Sequence, residues 1–179
     1  MATGVCKYTV LLLAMMILVA CSSPPPNLFI TSQARSNYSF DRATDRVVVS
    51  LTEKPGPAEQ GAIEQVREAF ATAGFTVVGD VNEADRIIYF KFATDENVQQ
   101  GLRRFGRARA TTSPLNYRGL EFYAVDTEAI RQQEPDPMVW RAIILAPADD
   151  FMTHPNAVLR EVADAYGKKL EQASRLKIE

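Results

Sequence analysis

Histidine and cysteine are nearly absent from this chain, with one His and two Cys in 179 residues. Both cysteines, Cys6 and Cys21, precede Ser22. Everything after Ser22 can therefore hold neither a disulfide framework, a thiolate zinc site nor a cysteine nucleophile. The lone His154 stands before Pro155 at the start of the last periodic segment and reads as a cap or turn histidine. A Ser-His-Asp triad would have to recruit it together with serines as distant as Ser22 and Ser23. Positive charge is not in excess either. Lys and Arg number 20 against 22 Asp and Glu, a net charge of −2, which excludes a surface built to coat nucleic acid. No GxGxxG or P-loop occurs, because Gly101, Gly106 and Gly119 lack the phosphate-cradle spacing. No cofactor is called for.

Acidic pairs are present but badly spaced. Asp95-Glu96 and Asp149-Asp150 lack the alternating ligands and glycine of a hard-cation loop, so no metal site is read. They suit turns and helix starts instead. Glu121 and Asp126 fall on one strand at odd separation, which sends their side chains to opposite faces and separates them as a glycosidase pair.

There is one long apolar run. Thr9 to Ala20, TVLLLAMMILVA, follows a short segment whose only charge is Lys7. As a helix it would span roughly 18 Å, well short of roughly 30 Å of hydrocarbon, and its length fits the apolar region of a secretory signal. It ends in Leu18-Val19-Ala20-Cys21, then Ser22-Ser23 and three prolines, which stop a helix. The tetrapeptide LVAC resembles the lipobox of bacterial lipoproteins. That resemblance implies cleavage between Ala20 and Cys21, acylation of Cys21 and anchoring in a membrane. Ser22, which is not Asp, implies sorting to the outer membrane with the domain facing the periplasm. The expected organisation is a signal peptide over 1–20, a lipidated cysteine and flexible tether over 21–44, and one domain over 45–179. Without the first twenty residues the net charge is −3.

Within the domain, RVVVSLT (46–52) reads as a strand, and 57–73 as a helix burying Ile63, Val66, Phe70 and Ala73, capped by Gly74. Strands follow at 75–78, 86–92, 117–126 and 138–146. A helix over 155–176 carries the stripe Val158, Leu159, Val162, Tyr166 and Leu170. Residues 93–116 read as a long loop. Leu28-Phe29-Ile30 could form a short edge strand. Trp140 and Tyr89 read as core aromatics. The fold class is α+β: a two-layer sandwich of a four- to five-stranded mixed or antiparallel sheet with two helices on one face.

The stretch AGFTVVGDVNEADRIIYFKF, the later FYAVDTEA and the VWRAIIL before the last helix resemble small Gram-negative lipoproteins with a periplasmic domain of unknown function. More distantly they resemble the curli-secretion lipoprotein domain and the N-terminal domain of the Tol-system translocation protein. With no catalytic constellation in the pattern and a lipobox-like tetrapeptide before it, the chain reads as a membrane-anchored, non-enzymatic binding or assembly module of the cell envelope. Its partner would be another envelope protein or an anionic envelope component, and no nucleic acid. A hydrolase of peptidoglycan or glycan, with a carboxylate site not visible in the pattern, is the alternative. The one local concentration of charge is Arg103, Arg104, Arg107 and Arg109, with Arg118 beyond them. The planar guanidinium fork suits phosphate and carboxylate oxygens, so these four are the candidate anion contacts.

Overall fold

The computed structural model describes residues 27–52, 55–106 and 116–177. Ala20 and Cys21 lie outside the described residues, as do Arg107 and Arg109.

Seven strands form one mixed sheet, larger than the four or five expected. They are β1 (Leu28–Ala34), β2 (Arg46–Leu51), β3 (Thr76–Val77), β4 (Arg86–Phe92), β5 (Tyr117–Asp126), β6 (Met138–Pro147) and β7 (Leu170–Ser174). Their order across the sheet is β3-β2-β4-β5-β6-β1-β7. β2 runs parallel to β3 and β4, and all other pairs are antiparallel. The helices described are α1 (Pro57–Thr72), α2 (Asp95–Arg104), α3 (Thr127–Arg131), α4 (Ala148–Thr153) and α5 (Pro155–Ala165).

The two helices expected on one face are α1 and α5. Val66, Phe70, Val158 and Val162 are fully buried against Val49, Ile88, Phe122 and Ile144 in the main core. Ile63 is half-buried at its margin. Trp140 is a core residue, as its apolar strand predicts, whereas Tyr89 is half-exposed on the other face of the sheet. Arg42 ties the chain entering β2 to the ends of both helices. Its guanidinium donates to the carbonyls of Ala73 and Ala163, each at 3.1 Å, and to Asp164 at 2.9 Å. A cation satisfying the last carbonyls of two helices also complements both dipoles.

Three expectations are corrected. The tether over 21–44 does not extend past residue 27, because Leu28–Ala34 is an interior strand between β6 and β7. Leu28 and Ile30 enter the main core while Phe29 enters a smaller core on the opposite face. A strand covered on both faces loses its alternation and reads as a bare apolar run. Asn27 locks this start: its backbone N–H donates to Ser174, its side-chain amide to Asp150 at 2.9 Å, and its side-chain carbonyl accepts from Leu176 N–H at 3.0 Å.

The last helix ends at Ala165 rather than 176. Tyr166 turns extended and Gly167 takes φ 69°, a left-handed conformation with Phe40 packed where a side chain would stand. Leu170 then belongs to β7, which pairs with β1. The sequence KKLEQAS favours helix, and sheet pairing overrides that preference.

The loop expected over 93–116 contains α2. Thr94 caps it, its hydroxyl accepting from Asn97 N–H at 3.3 Å. Asp95 and Glu96 lie in its first turn, and Arg103 and Arg104 in its last, each matched to the helix dipole. The helix escapes periodicity because its buried stripe is only Val98, Gly101 and Leu102. It lies on the sheet face opposite α1 and α5, so part of the molecule has three layers.

Candidate functional site

The sheet face opposite α1 and α5 is covered only in part. α2 packs on one end of it through Phe29, Val98, Leu102 and Leu145, with the Phe105 ring 5.0 Å from that of Phe29. Two glycines permit this approach. A Cβ on Gly101 would stand 2.5 Å from Leu145 Cδ1, and one on Gly119 2.8 Å from Ala93 Cβ. The helix therefore lies directly on the strands at that end and leaves a wedge along its other flank.

That wedge is a cleft of about 180 Å³ between α2, β1, β5 and β6. Its floor is Thr31, Glu121, Tyr123 and Ile143; its sides are Asn97, Gln100 and Arg104 from α2, with Gln33 and Arg141 from the sheet. Strand alternation explains the placement: Arg141 and Ile143 point away from the face that buries Trp140 and Ile144.

Glu121 sits at the bottom with 8% of its surface exposed. One carboxylate oxygen accepts from the Asn97 side-chain amide, and the other from the Tyr123 hydroxyl. The Lys91 ammonium lies 3.3 Å from that second oxygen. Burial pushes the carboxyl upward, but the two hydrogen bonds and Lys91 outweigh it and hold Glu121 below the ordinary carboxylate range. Burial likewise works against the Lys91 charge, and Glu121 with Tyr123 reverses it, leaving Lys91 above its usual value. Tyr123 is raised by burial first and then by the hydrogen bond it donates to Glu121.

The signs determine a pH dependence. A depressed carboxyl stabilises the fold above its unfolded value, near 4.5, and that contribution is lost as pH falls through the folded value. A raised lysine stabilises below its ordinary 10.5, and its contribution is lost as pH rises through the folded value. Glu121→Gln should cost about 1–3 kcal/mol at pH 7, because a buried hydrogen-bonded charge is removed beside Lys91. It should also lose less stability than the parent between pH 5 and pH 3. Urea unfolding at the three pH values checks both, and parallel pH profiles for the two proteins would refute the assignment.

The arginines named from the sequence separate. Arg104 lines the cleft, whereas Arg103, about 100° further round the helix, does not. Arg118 is exposed near the start of β5. Arg107 and Arg109 lie outside the described residues. Arg141 was missed, although a single arginine within the apolar VWRAIIL strand was its signal. The amide side chains Gln33, Asn97 and Gln100 had no sequence signal, because only α2 and β1 bring them together.

Asp126 is remote from this cleft. It pairs with Arg86 at 2.6 Å and caps α3, accepting from Ala129 N–H at 2.8 Å. Five residues of strand put it roughly 15 Å from Glu121, beyond the reach of a two-carboxylate hydrolytic pair. Among the described residues no cluster of three His, Cys, Asp or Glu could hold a metal. No described helix is long and apolar enough to cross a membrane.

No protein-family model and no curated protein matches the chain. Among solved structures the chain has only remote likenesses. One is a PelC dodecamer from Paraburkholderia phytofirmans, at 13% identity and TM-score 0.45, covering 78% of this chain and 99% of that one. A DUF4136 family protein from Bacteroides thetaiotaomicron matches at 10% identity and TM-score 0.45, covering 79% and 98%. A PDZ domain protein from Parabacteroides distasonis matches at 11% identity and TM-score 0.42, covering 89% of this chain and 40% of that one. Likenesses this remote carry no argument about function.

Proposed function

We propose that this chain is a lipid-anchored periplasmic protein of the outer membrane and acts as a non-enzymatic binding or assembly module of the cell envelope. The observation that carries the binding role is the state of the cleft. Its one buried carboxylate is fully engaged by Asn97, Tyr123 and Lys91, while Gln100, Arg104 and Arg141 stand exposed at its rim. A general acid or base needs a proton that can leave or arrive near working pH. A carboxyl held below its ordinary range and saturated with donors serves instead to fix α2 and Tyr123 in place.

The anchor reading takes support from the LVAC tetrapeptide and from the position of β1. Six residue steps from Cys21 to Asn27 reach roughly 20 Å at most, and the Pro24 to Pro26 run favours an extended path. A lipid on Cys21 would therefore hold the end of the sheet bearing Asn27 and Lys177 close to the bilayer, not on a long tether.

A photo-cross-linking residue at Gln100, exposed on the cleft side of α2, should capture an envelope component in intact cells. The same probe at Gln65, exposed on α1 in the opposite layer, should not. Equal capture at both positions, or none at Gln100, would contradict a binding role for this cleft.

A further inference from the structure

We infer that the cleft beneath α2 takes a small carboxylate carried on a polar scaffold, with Arg104 and Arg141 holding the carboxylate; this deepens the binding role proposed above and rests on it. Among the described residues, neither Arg104 nor Arg141 is ion-paired with a carboxylate, unlike Arg35, Arg42, Arg46, Arg67, Arg86 and Arg131; Arg103, Arg118 and Arg175 also lack an ion pair but do not line the cleft. The two unpaired guanidinium groups line the same cavity.

Arg141 is also oriented in advance. Its Nε and one Nη donate to the side-chain carbonyl of Gln33 at 3.0 and 2.6 Å, which fixes the plane of the guanidinium and leaves its other Nη free. Holding one edge of the fork by a neutral acceptor keeps the positive charge uncompensated. Glu121 does not cancel that charge. Lys91 already answers it, and Asn97 and Tyr123 supply its hydrogen bonds.

The remaining lining sets the scaffold. Gln100 presents an amide and Thr31 a hydroxyl, groups that both donate and accept, above a floor that includes Ile143 and Tyr123. These match hydroxyl or amide groups on the ligand. A cavity of about 180 Å³ has room for one small unit, such as a single sugar acid or an acylated amino acid, rather than an extended chain. The shared chemistry is the carboxylate beside hydrogen-bonding groups.

The test is calorimetric titration of the purified full chain in detergent with D-glucuronate, N-acetylalanine and uncharged D-glucose. One or both carboxylates should bind and glucose should not, and whichever acid binds more tightly identifies the scaffold. Arg104→Gln and Arg141→Gln should each weaken that binding about tenfold or more, with thermal melting only slightly lowered because both side chains are exposed and lose only a surface dipole or hydrogen-bond contact. Failure of both acids to bind, equal binding of glucose, or binding undiminished in both variants would overturn the assignment. Persisting capture at Gln100 in that event would show that the cleft binds something other than a carboxylate.

Discussion

Truncating Phe70 to alanine should lower the stability of the domain by about 3–5 kcal/mol. Phe70 has no exposed surface, and its ring lies 5.1 Å from that of Phe75 and 6.4 Å from that of Phe122. It joins α1 to the sheet at the centre of the main core. Alanine loses the transfer energy of the ring and leaves a cavity that flanking strands cannot close, because β2, β4 and β5 are fixed by their neighbours. Against a usual domain stability of roughly 5–15 kcal/mol, this is a large fraction. Chemical denaturation should show a lower midpoint at unchanged slope. A change below about 1 kcal/mol, outside the usual range for such a truncation, would mean that this helix face is not the core.

Cys21→Ser is expected to abolish incorporation of a clickable fatty acid. The effect should be all or none, since a serine hydroxyl does not take the place of the thiol in the modification that the LVAC tetrapeptide implies. Each buried CH₂ contributes about 0.8 kcal/mol, and durable attachment requires more than one acyl chain, so the unlabelled variant should also lose stable membrane attachment. Equal labelling of parent and variant would place the lipid elsewhere or nowhere.

Much of the fold is legible because burial is one-sided. Val66 and Phe70 recur at helical spacing, and Ile88, Phe90 and Phe92 of RIIYFKF alternate onto the main core, with Ile87 alone buried on the other face. Where burial departs from that pattern, the reading fails. β1 is covered on both faces, so Leu28-Phe29-Ile30 shows no alternation. α2 buries a stripe of three residues, one of them a glycine, so its amphipathicity is hidden. β7 carries Leu170 and Gln172 in a helix-favouring stretch, and only its pairing with β1 makes it a strand.

The candidate site suffers from the first two of these failures together. Its walls are α2 and β1, so a reading that leaves 93–116 as loop and 21–44 as tether has no cleft to place Arg104 in. Local charge density marks Arg104, whereas Arg141 is visible only as a lone cation in an apolar strand. Their convergence depends on β1 entering the sheet beside β6. Glu121 and Asp126, by contrast, were separable from spacing alone, because strand alternation acts between near neighbours.

The proposed anchor on Cys21 would decide where the cleft works and how far the domain stands from a bilayer. The most direct measurement is the intact mass of the N-terminal peptide of the protein extracted from membranes. That peptide should begin at Cys21, lack the first twenty residues and carry acyl chains on that cysteine. A peptide that retains Met1, or one that begins at another residue with Cys21 absent or unmodified, would contradict the anchor on Cys21.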